Sequence, residues 1–230
     1  MKGTIKEISY DTATRFLLPR HYSGRCPTIS KAFGWYDNNT LKAVCTFGKP
    51  ASPQLCDGVC GKEYSSNVYE LNRLCRVDNW KEPLSMFVSY CLRQLKPLNL
   101  IIISYSDTAM NHHGYIYQAC NFIYTGKTKE RTDKYVANGR HSRHYTNEEQ
   151  TGFRKVRSAK HRYIYFCTNN KHLKKKWLNA LNYPIIKQYP KGDNSPDYTL
   201  GNFLQDKLVV DTTVHDFTIE NKKNKTYKLF

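Results

Sequence analysis

Long apolar runs are missing from this chain of 230 residues. No apolar stretch approaches the ~18 residues that a membrane-spanning helix needs, so the sequence predicts no transmembrane segment. The first residues, Met-Lys-Gly-Thr-Ile-Lys-Glu, also lack the apolar centre of a signal peptide. We therefore expect a cytoplasmic protein. Its 40% apolar content suits one globular domain with an appendage, or two small domains.

Disulfide bonds are not expected either, although the chain contains eight cysteines. Thiols stay reduced in the cytoplasm, and several of these cysteines fall within apolar segments, so we predict buried thiols. Cys56 and Cys60 are separated by three residues, but no second pair follows at the spacing of a zinc site. A zinc ribbon is therefore not indicated.

Acidic residues are scarce: the chain has 19 Asp and Glu against 36 Lys and Arg, a net charge of +17. The excess is concentrated in residues 127–191, which carry 17 basic and 4 acidic side chains. Such a block attracts a polyanion, because each phosphate that it neutralises releases counterions. Aromatic and arginine residues alternate in part of the block, which favours nucleic acid over a membrane surface. The alternative is a basic surface that only maintains solubility.

Periodicity and turn residues predict a mixed α/β fold. Helices are predicted over residues 11–18, 83–95, 114–121 and 171–181. Strands are predicted over residues 31–37, 40–47, 68–76, 100–105, 122–125, 162–167 and 207–210. Residues 48–61 and 127–160 are predicted to be loops. Two strands are each followed by a helix, at 68–95 and 100–121, which implies neighbouring parallel strands. Ligands bind beyond the carboxyl ends of such strands.

The stretch SYSDTAMNHHGYIYQACNFIYTG, residues 104–126, begins at one of these carboxyl ends. It brings a carboxylate, Asp107, together with Tyr105 and two adjacent histidines. Neighbouring histidines such as His112 and His113 point in different directions on a regular element, so they make a poor pair of metal ligands. Asp107 is a candidate proton acceptor, and the alternative is that it only caps the helix that follows.

Seven stretches, in order along residues 10–167, resemble the Mom family of bacteriophage DNA-modification enzymes, relatives of the GNAT acyltransferases. They are HYSG, FGWYDNNTLKAVCTFGKPASP, VYELNRLCR, SMFVSYCLRQL, IISYSDTAMNHHGYIYQACNFIYTG, RTDKY and RSAKHRYIYF. The resemblance implies a GNAT-like central mixed sheet with flanking helices in a catalytic domain, residues 1–167. Residues 127–160 would form a basic DNA-contacting arm, and residues 168–230 a basic helix and C-terminal extension.

The resemblance further implies an enzyme that adds a small acyl-type group, methylcarbamoyl or carbamoylmethyl, to the N6 amine of adenine in double-stranded DNA. In the host cytoplasm this modification shields phage DNA from restriction. The implied donor is an acyl-coenzyme A such as acetyl-CoA, and iron is a further implied cofactor. The chain departs from the usual GNAT pattern, because residues 76–85 contain no glycine where a Gly-rich loop normally precedes the helix.

The resemblance and the chemistry together give a set of candidate site residues. The catalytic candidates are Asp107 and His21 as the proton-handling pair, with Tyr22, Glu70 and Tyr105. The cofactor-binding candidates are Arg73, Ser85, Met86 and Phe87. The DNA-binding candidates are Arg140, Arg143, Arg154, Lys155, Arg157, Lys160 and Arg162. The candidate iron ligands are His21, Tyr22 and Asp107.

Most of these residues could instead have a purely structural role. Glu70 could pair with a nearby basic side chain, Ser85 could be a plain helix cap, and His21 could be a structural histidine. Two other function classes also remain: a non-enzymatic basic protein that binds nucleic acid, and a GNAT-like acyltransferase that acts on an amine outside DNA.

Overall fold

The computed structural model describes residues 3–135, 151–192 and 207–211. Within these ranges the chain forms ten strands and five α-helices. The strands are β1 Thr4–Glu7, β2 Lys31–Asp37, β3 Thr40–Gly48, β4 Val68–Arg76, β5 Leu100–Asp107, β6 Ile123–Lys127, β7 Arg131–Lys134, β8 Phe153–Arg157, β9 Lys160–Cys167 and β10 Leu208–Val210. The helices are α1 Tyr10–Leu17, α2 Pro53–Cys60, α3 Leu84–Leu95, α4 Tyr115–Ala119 and α5 Lys171–Asn179.

Seven strands form one mixed sheet in the order β1-β2-β3-β4-β5-β9-β6. β4 and β5 are parallel, and the other described neighbours in this sheet are antiparallel. Helix α3 makes the crossover between β4 and β5, as the strand–helix pattern predicted. The predicted fold class, a central mixed sheet with flanking helices, is confirmed.

Local signals explain the best-predicted elements. The β2–β3 hairpin turns at Asn38 and Asn39, which have positive φ angles of 47° and 60°. Asparagine tolerates that conformation better than most residues, and two-residue hairpins require it. In α3 the buried residues are Phe87, Val88, Cys91, Leu92 and Leu95. This spacing forms one apolar side of a helix, which packs on the sheet.

Helices cover both faces of the sheet. On one face, α3 and α4 pack over an apolar cluster that includes Trp35, Ile102 and Phe122. On the other face, α2 and α5 pack over a cluster that includes Ile103 and Trp177. Because side chains alternate along β5, Ile102 and Ile103 belong to opposite clusters.

Two predicted loops contain regular structure, and a further strand, β1, was also not predicted. Residues 48–61 include α2, in which Pro53 occupies the first turn, a position that favours proline, and Cys56, Val59 and Cys60 are buried. Residues 127–160 include β7 and β8, which carry few apolar side chains and are defined by backbone pairing. The short β1 adds to the sheet edge beside β2. Residues 136–150 of the predicted arm lie outside the described part.

The chain divides into two units. The first comprises Met1–Thr128 and Lys160–Leu204, and the second comprises Lys129–Ala159 and Gln205–Phe230. In the second unit, β10, β8 and β7 form a three-stranded antiparallel sheet. Helix α5 falls in the first unit, together with the seven-stranded sheet. The predicted domain boundary at residue 167 stays a prediction.

All eight cysteines are free thiols, and seven of them are buried. The burial predicted for the cysteines in apolar segments is confirmed. Among the residues that the structure describes, no helix is long and apolar enough to cross a membrane.

Candidate active site

The two parallel strands separate partway along their length. They pair from Val68 opposite Ile101 to Leu71 opposite Ser104, where the Ser104 hydroxyl donates to the Leu71 carbonyl at 2.9 Å. Beyond this point β4 follows β3 to Arg76, and β5 follows β9. Among the residues that the structure describes, the edge of β4 that faces β5 therefore has no strand partner after Leu71. We call this opening the interstrand gap.

A bulge in β4 lies at the start of the interstrand gap. The register of β3 against β4 shifts between Thr46 and Phe47, which leaves Asn72 as the extra residue. The Asn72 side chain accepts a hydrogen bond from the Thr46 hydroxyl at 2.6 Å and donates one to the Thr28 carbonyl at 2.9 Å. The bulge thus connects β4 to residues 18–30, the segment between α1 and β2 that we call the acceptor loop.

Two further contacts hold the acceptor loop against the strands. A Cβ on Gly48 would lie 1.8 Å from the Thr28 carbonyl oxygen, so this close approach requires glycine. The Arg73 guanidinium donates to the Arg25 carbonyl at 3.3 and 3.4 Å and to the Asn72 carbonyl at 2.6 Å. Arg73, a predicted cofactor ligand, is thus engaged in positioning the acceptor loop.

His21 and Tyr22 lie in the acceptor loop, where their rings stack with centroids 4.3 Å apart. Nδ1 of His21 accepts a hydrogen bond from the Ser23 backbone N–H at 3.2 Å, so the proton of the neutral ring is on Nε2. Burial, the charge of Arg73 and the nearby His112 lower the pKa of His21 to about 3. At neutral pH His21 is therefore an uncharged hydrogen-bond donor through Nε2.

Contacts continue from the acceptor loop to the end of β5. The Tyr22 ring meets the His112 ring edge-on at 5.9 Å, and the His112 backbone N–H donates to the Asp107 carbonyl at 3.1 Å. Asp107 is buried, and both carboxylate oxygens have partners: Oδ1 accepts from the Ala109 N–H at 3.0 Å, and Oδ2 pairs with the Lys160 ammonium. The predicted proton-handling pair thus belongs to one connected cluster. The cap of the Thr108–Met110 turn, the alternative role of Asp107, is also present.

Glu70 lies two residues before Asn72, next to the interstrand gap. Burial raises the pKa of Glu70, while the neighbouring charges of Arg73 and Lys160 act in the opposite direction. No hydrogen bond or ion pair engages its carboxylate among the described residues. A partly exposed carboxylate that is less acidic than usual and unpaired fits a general base. Tyr105, another candidate, is partly buried on the face of the sheet that α2 and α5 cover.

Tyr117 in α4 was missed by the sequence analysis. Its hydroxyl interacts with Ser104, and Tyr22 and Glu70 are among its electrostatic neighbours. Burial is the main cause of the raised pKa of Tyr117, which keeps the hydroxyl protonated at neutral pH. Tyr117 approaches the interstrand gap from the α3/α4 face. The only sequence signal for it was the row of aromatic residues after Asp107.

The predicted cofactor residues at the start of α3 have mixed surroundings. The Ser85 carbonyl accepts from the Cys120 thiol at 3.3 Å, the Met86 N–H donates to the Pro83 carbonyl at 3.0 Å, and Phe87 is buried. Pro83 provides no side-chain cap. The helix N-terminus is therefore open to an external acceptor, although the Met86 amide has an internal partner.

Two DNA-binding candidates in the first unit make intramolecular contacts. Arg162 donates to the Thr125 hydroxyl and carbonyl, both at 2.9 Å, and lies 3.4 Å above the Tyr183 ring. Lys160 forms the ion pair with Asp107. Arg162 therefore links β9 to β6, and Lys160 links β9 to β5.

The candidates in the second unit are engaged in a similar way. Arg154 pairs with Asp211 at 3.2 Å, and Arg157 pairs with Asp133 at 2.7 Å. Lys155 also has a partner. Arg140 and Arg143 lie outside the described residues.

The candidate iron ligands do not fit a metal. Within residues 3–135, 151–192 and 207–211, no group of three or more His, Cys, Asp and Glu side chains could hold a metal ion. Nδ1 of His21 accepts from Ser23, and both Asp107 oxygens have partners. This donor set does not suit iron.

Comparison with known protein families finds a match to the Mom protein family over residues 2–191. The chain belongs to the Mom protein family. This confirms the resemblance read from the sequence. Among curated proteins, none matches this Mom-family chain significantly.

Solved structures that match this Mom-family chain include three acetyltransferases. One is an N-acetyltransferase from Staphylococcus aureus, 11% identical over 73% of this chain and 100% of that chain, with a TM-score of 0.46. Another is a GNAT superfamily phosphinothricin acetyltransferase from Sinorhizobium meliloti in complex with AcCoA, 8% identical over 75% of this chain and 92% of that chain, with a TM-score of 0.46. The third is a Bacillus subtilis acetyltransferase in complex with CoA, 12% identical over 72% of this chain and 97% of that chain, with a TM-score of 0.39.

Proposed function

We propose that this Mom-family chain is an acyltransferase-like enzyme that adds a small acyl-type group, methylcarbamoyl, to adenine N6 in double-stranded DNA. The observation that carries the proposal is the interstrand gap. Glu70 lies beside it, Tyr117 approaches it, and both Glu70 and Tyr22 are among the electrostatic neighbours of Tyr117. Family membership supports the choice of DNA adenine. In a bacteriophage infection the product would protect the phage DNA from restriction in the host cytoplasm.

An acyl-coenzyme A donor suits the interstrand gap. The unpaired edge of β4 after Leu71 offers backbone groups to an extended pantetheine arm, as an added strand would use them. Helix α3 begins without a side-chain cap, and a helix N-terminus favours a pyrophosphate. A methylcarbamoyl thioester of coenzyme A would supply the carbonyl carbon of the transferred group, and the coenzyme A thiol would leave. Acetyl-CoA would instead give N6-acetyladenine, which mass spectrometry distinguishes from the methylcarbamoyl product.

Glu70 takes the role of general base. The lone pair of adenine N6 is delocalised into the ring, so N6 must lose a proton as it bonds to the carbonyl carbon. Glu70 accepts this proton while the carbon–sulfur bond breaks, and later returns it to solvent. Its raised pKa makes Glu70 a stronger base than an ordinary carboxylate.

Tyr117 and His21 are the hydrogen-bond donors of the site. The protonated Tyr117 hydroxyl donates toward the charge that develops on the departing sulfur. His21 donates through Nε2–H, since its Nδ1 already accepts from Ser23. Neither group needs to change its charge during the reaction.

Tyr22 and Asp107 position the substrate. Chemistry at N6 generally requires the base to leave the duplex, at a cost of a few kcal/mol. Tyr22 offers an aromatic face for the extruded adenine, and its other neighbours, His21 and His112, fix the ring. Asp107 acts through Lys160 and the backbone of His112 to hold the end of β5.

The decisive experiment is mass spectrometry of nucleosides from DNA co-expressed with the protein. Wild type should produce a modified deoxyadenosine, Glu70→Gln should lower its amount by about 10²- to 10⁴-fold, and Asp107→Ala should reduce it strongly. The exposed Glu63→Gln is the matched control and should retain the modification.

Two outcomes would contradict the proposal. Unchanged nucleosides together with strong DNA binding would favour a non-enzymatic DNA-binding protein. Unchanged nucleosides together with acylation of a protein or small amine would favour an acyltransferase that acts outside DNA. In that case a DNA-binding constant that does not change with salt would remove DNA from the account.

A further inference from the structure

Helix α5 has an unusual distribution of charge. Its sequence, KHLKKKWLN, contains four lysines and one histidine and no acidic residue. All five of these side chains are exposed. Its positive charge is thus concentrated on about two and a half turns of helix.

Packing fixes which side of α5 faces outward. Trp177 is fully buried, and Leu173, one turn earlier, packs against the same apolar cluster. The Asn170 side chain caps the helix by accepting from the Leu173 N–H at 3.0 Å. With these three residues held by the fold, the lysines project away from the core.

Part of the charge of α5 acts against its stability. Lys171 in the first turn opposes the positive end of the helix dipole, whereas Lys176 in the last turn complements the negative end. Lys171 also lies one turn before Lys174 and Lys175, at the spacings at which like charges repel. In the described part of the chain, no ion pair involves these lysines. A local pattern that disfavours the fold is typical of a functional surface.

We propose that Lys171, Lys174, Lys175 and Lys176 form a docking surface for the phosphate backbone of double-stranded DNA. The nine-residue helix is about 13 Å long, at ~1.5 Å per residue. A duplex carries about eight phosphate charges along that length, at one per ~1.7 Å. Lysine suits such contacts, because it recognises phosphate as a flexible point charge.

The alternatives to DNA are weaker. An interfacial membrane helix needs a broad exposed apolar side, whereas Leu173 and Trp177 face the core and Leu178 is the one large exposed apolar residue of α5. The choice of DNA over RNA rests on the function proposed above. The docking surface itself does not, since it can be measured by binding alone.

The first test measures how the affinity for a short DNA duplex depends on salt. The triple variant K174Q/K175Q/K176Q should lower the slope of log K against log salt by about 2 to 3, because each lost phosphate contact changes it by ~0.9. The variant K174R/K175R/K176R keeps the charge and should keep the slope. The control K6Q/K31Q/K42Q removes the same charge from β1, β2 and β3 and should leave the slope nearly unchanged. Equal slopes for the α5 and control variants would overturn the proposal.

The second test separates function from helix stability. Lys171→Glu removes repulsion and complements the helix dipole, so the thermal unfolding midpoint should rise while DNA affinity falls. A higher midpoint with unchanged affinity would mean that the lysines are only a solvated face, and would overturn the proposal. A duplex RNA that binds as well as DNA, with the same loss in the triple variant, would overturn the choice of DNA.

These measurements also distinguish the two proposals. If wild type yields no modified nucleoside but the glutamine variant of α5 has a lower salt slope, the proposed function fails and the docking surface stands. If DNA is modified and the slope of that variant does not change, the proposed function stands and the docking surface fails.

Discussion

Two groups of cations in the first unit have opposite surroundings. Arg162 and Lys160, at the beginning of β9, are bound to Thr125 and Asp107 on the two neighbouring strands. The lysines of α5 project away from the buried side of the helix. They have no ion-pair partner in the described part of the chain. Both groups belong to one basic block in the sequence. The density of charge in a sequence therefore does not distinguish a cation that stabilises the fold from a cation that is available to a ligand.

The largest expected difference between the two regions concerns catalysis. Glu70→Gln should lower the rate of adenine modification by about 10²- to 10⁴-fold, the usual contribution of a general base, and leave the salt dependence of DNA binding intact. The α5 variant K174Q/K175Q/K176Q should keep the modification rate at saturating DNA and lower the salt dependence of binding. A time course of modified deoxyadenosine measures the rates, and binding titrations at several salt concentrations measure the salt dependence. Equal rate losses in the two variants would break the distinction between site and docking surface.

The next effect concerns stability. Lys160→Met leaves the buried Asp107 without its cation and should lower the free energy of unfolding by about 2–3 kcal/mol, since the lost bond joins two charged groups. The same change at Lys175 should alter it by less than about 0.5 kcal/mol, as is usual for an exposed side chain. Denaturant titration measures both values. A comparable loss at Lys175 would show that α5 also carries a structural cation.

A smaller effect should appear when the pH is lowered. The native pKa of His21 is about 3, far below its unfolded value, so the unfolded chain binds an extra proton between these values. The stability that neutral His21 provides is complete above pH ~6.5 and declines as the pH falls toward 3, by about 2 kcal/mol at pH 5. His21→Asn should lose this part of the pH dependence. An unchanged pH profile in the variant would contradict the burial assigned to His21.

The smallest effect concerns Arg162. Arg162→Ala removes two hydrogen bonds to Thr125 and the contact with the Tyr183 ring, and should lower the free energy of unfolding by about 1–2 kcal/mol. The salt dependence of DNA binding should change by less than one phosphate contact. A full loss of one contact, seen as a slope change of ~0.9, would return Arg162 to the DNA interface.

Local signals carried much of the fold. Strand β4 was predicted with its observed ends, and the β2–β3 hairpin followed from Asn38 and Asn39, because turn residues and alternation act over a few neighbours. Helix α2 was missed, since its glycine and proline are also typical of loops. The position of β9 between β5 and β6 was not predictable, because it depends on pairing across many residues.

The candidate site was only partly visible in the sequence for the same reason. His21, Tyr22 and Asp107 were named and belong to one connected cluster. Glu70 was also named, and it is an electrostatic neighbour of Tyr117. The ion pair of Asp107 needed the register that sets it opposite Lys160 on β9. The role of Arg73 depended on a bulge that periodicity does not reveal. Tyr117 became recognisable only once β4 and β5 were seen to separate.

The residues that flank the segment 129–159, Thr128 and Lys160, are neighbours in the first unit. The Thr128 N–H donates to the Lys160 carbonyl, and the Lys160 N–H donates to the Thr128 hydroxyl, both at 2.9 Å. The segment therefore connects two antiparallel neighbours of the seven-stranded sheet, β6 and β9, as a long hairpin loop would. It could be excised and replaced by a two-residue turn such as Asn-Gly without changing the strand order. The shortened protein would retain the interstrand gap and α5, and would reveal what the excised segment contributes.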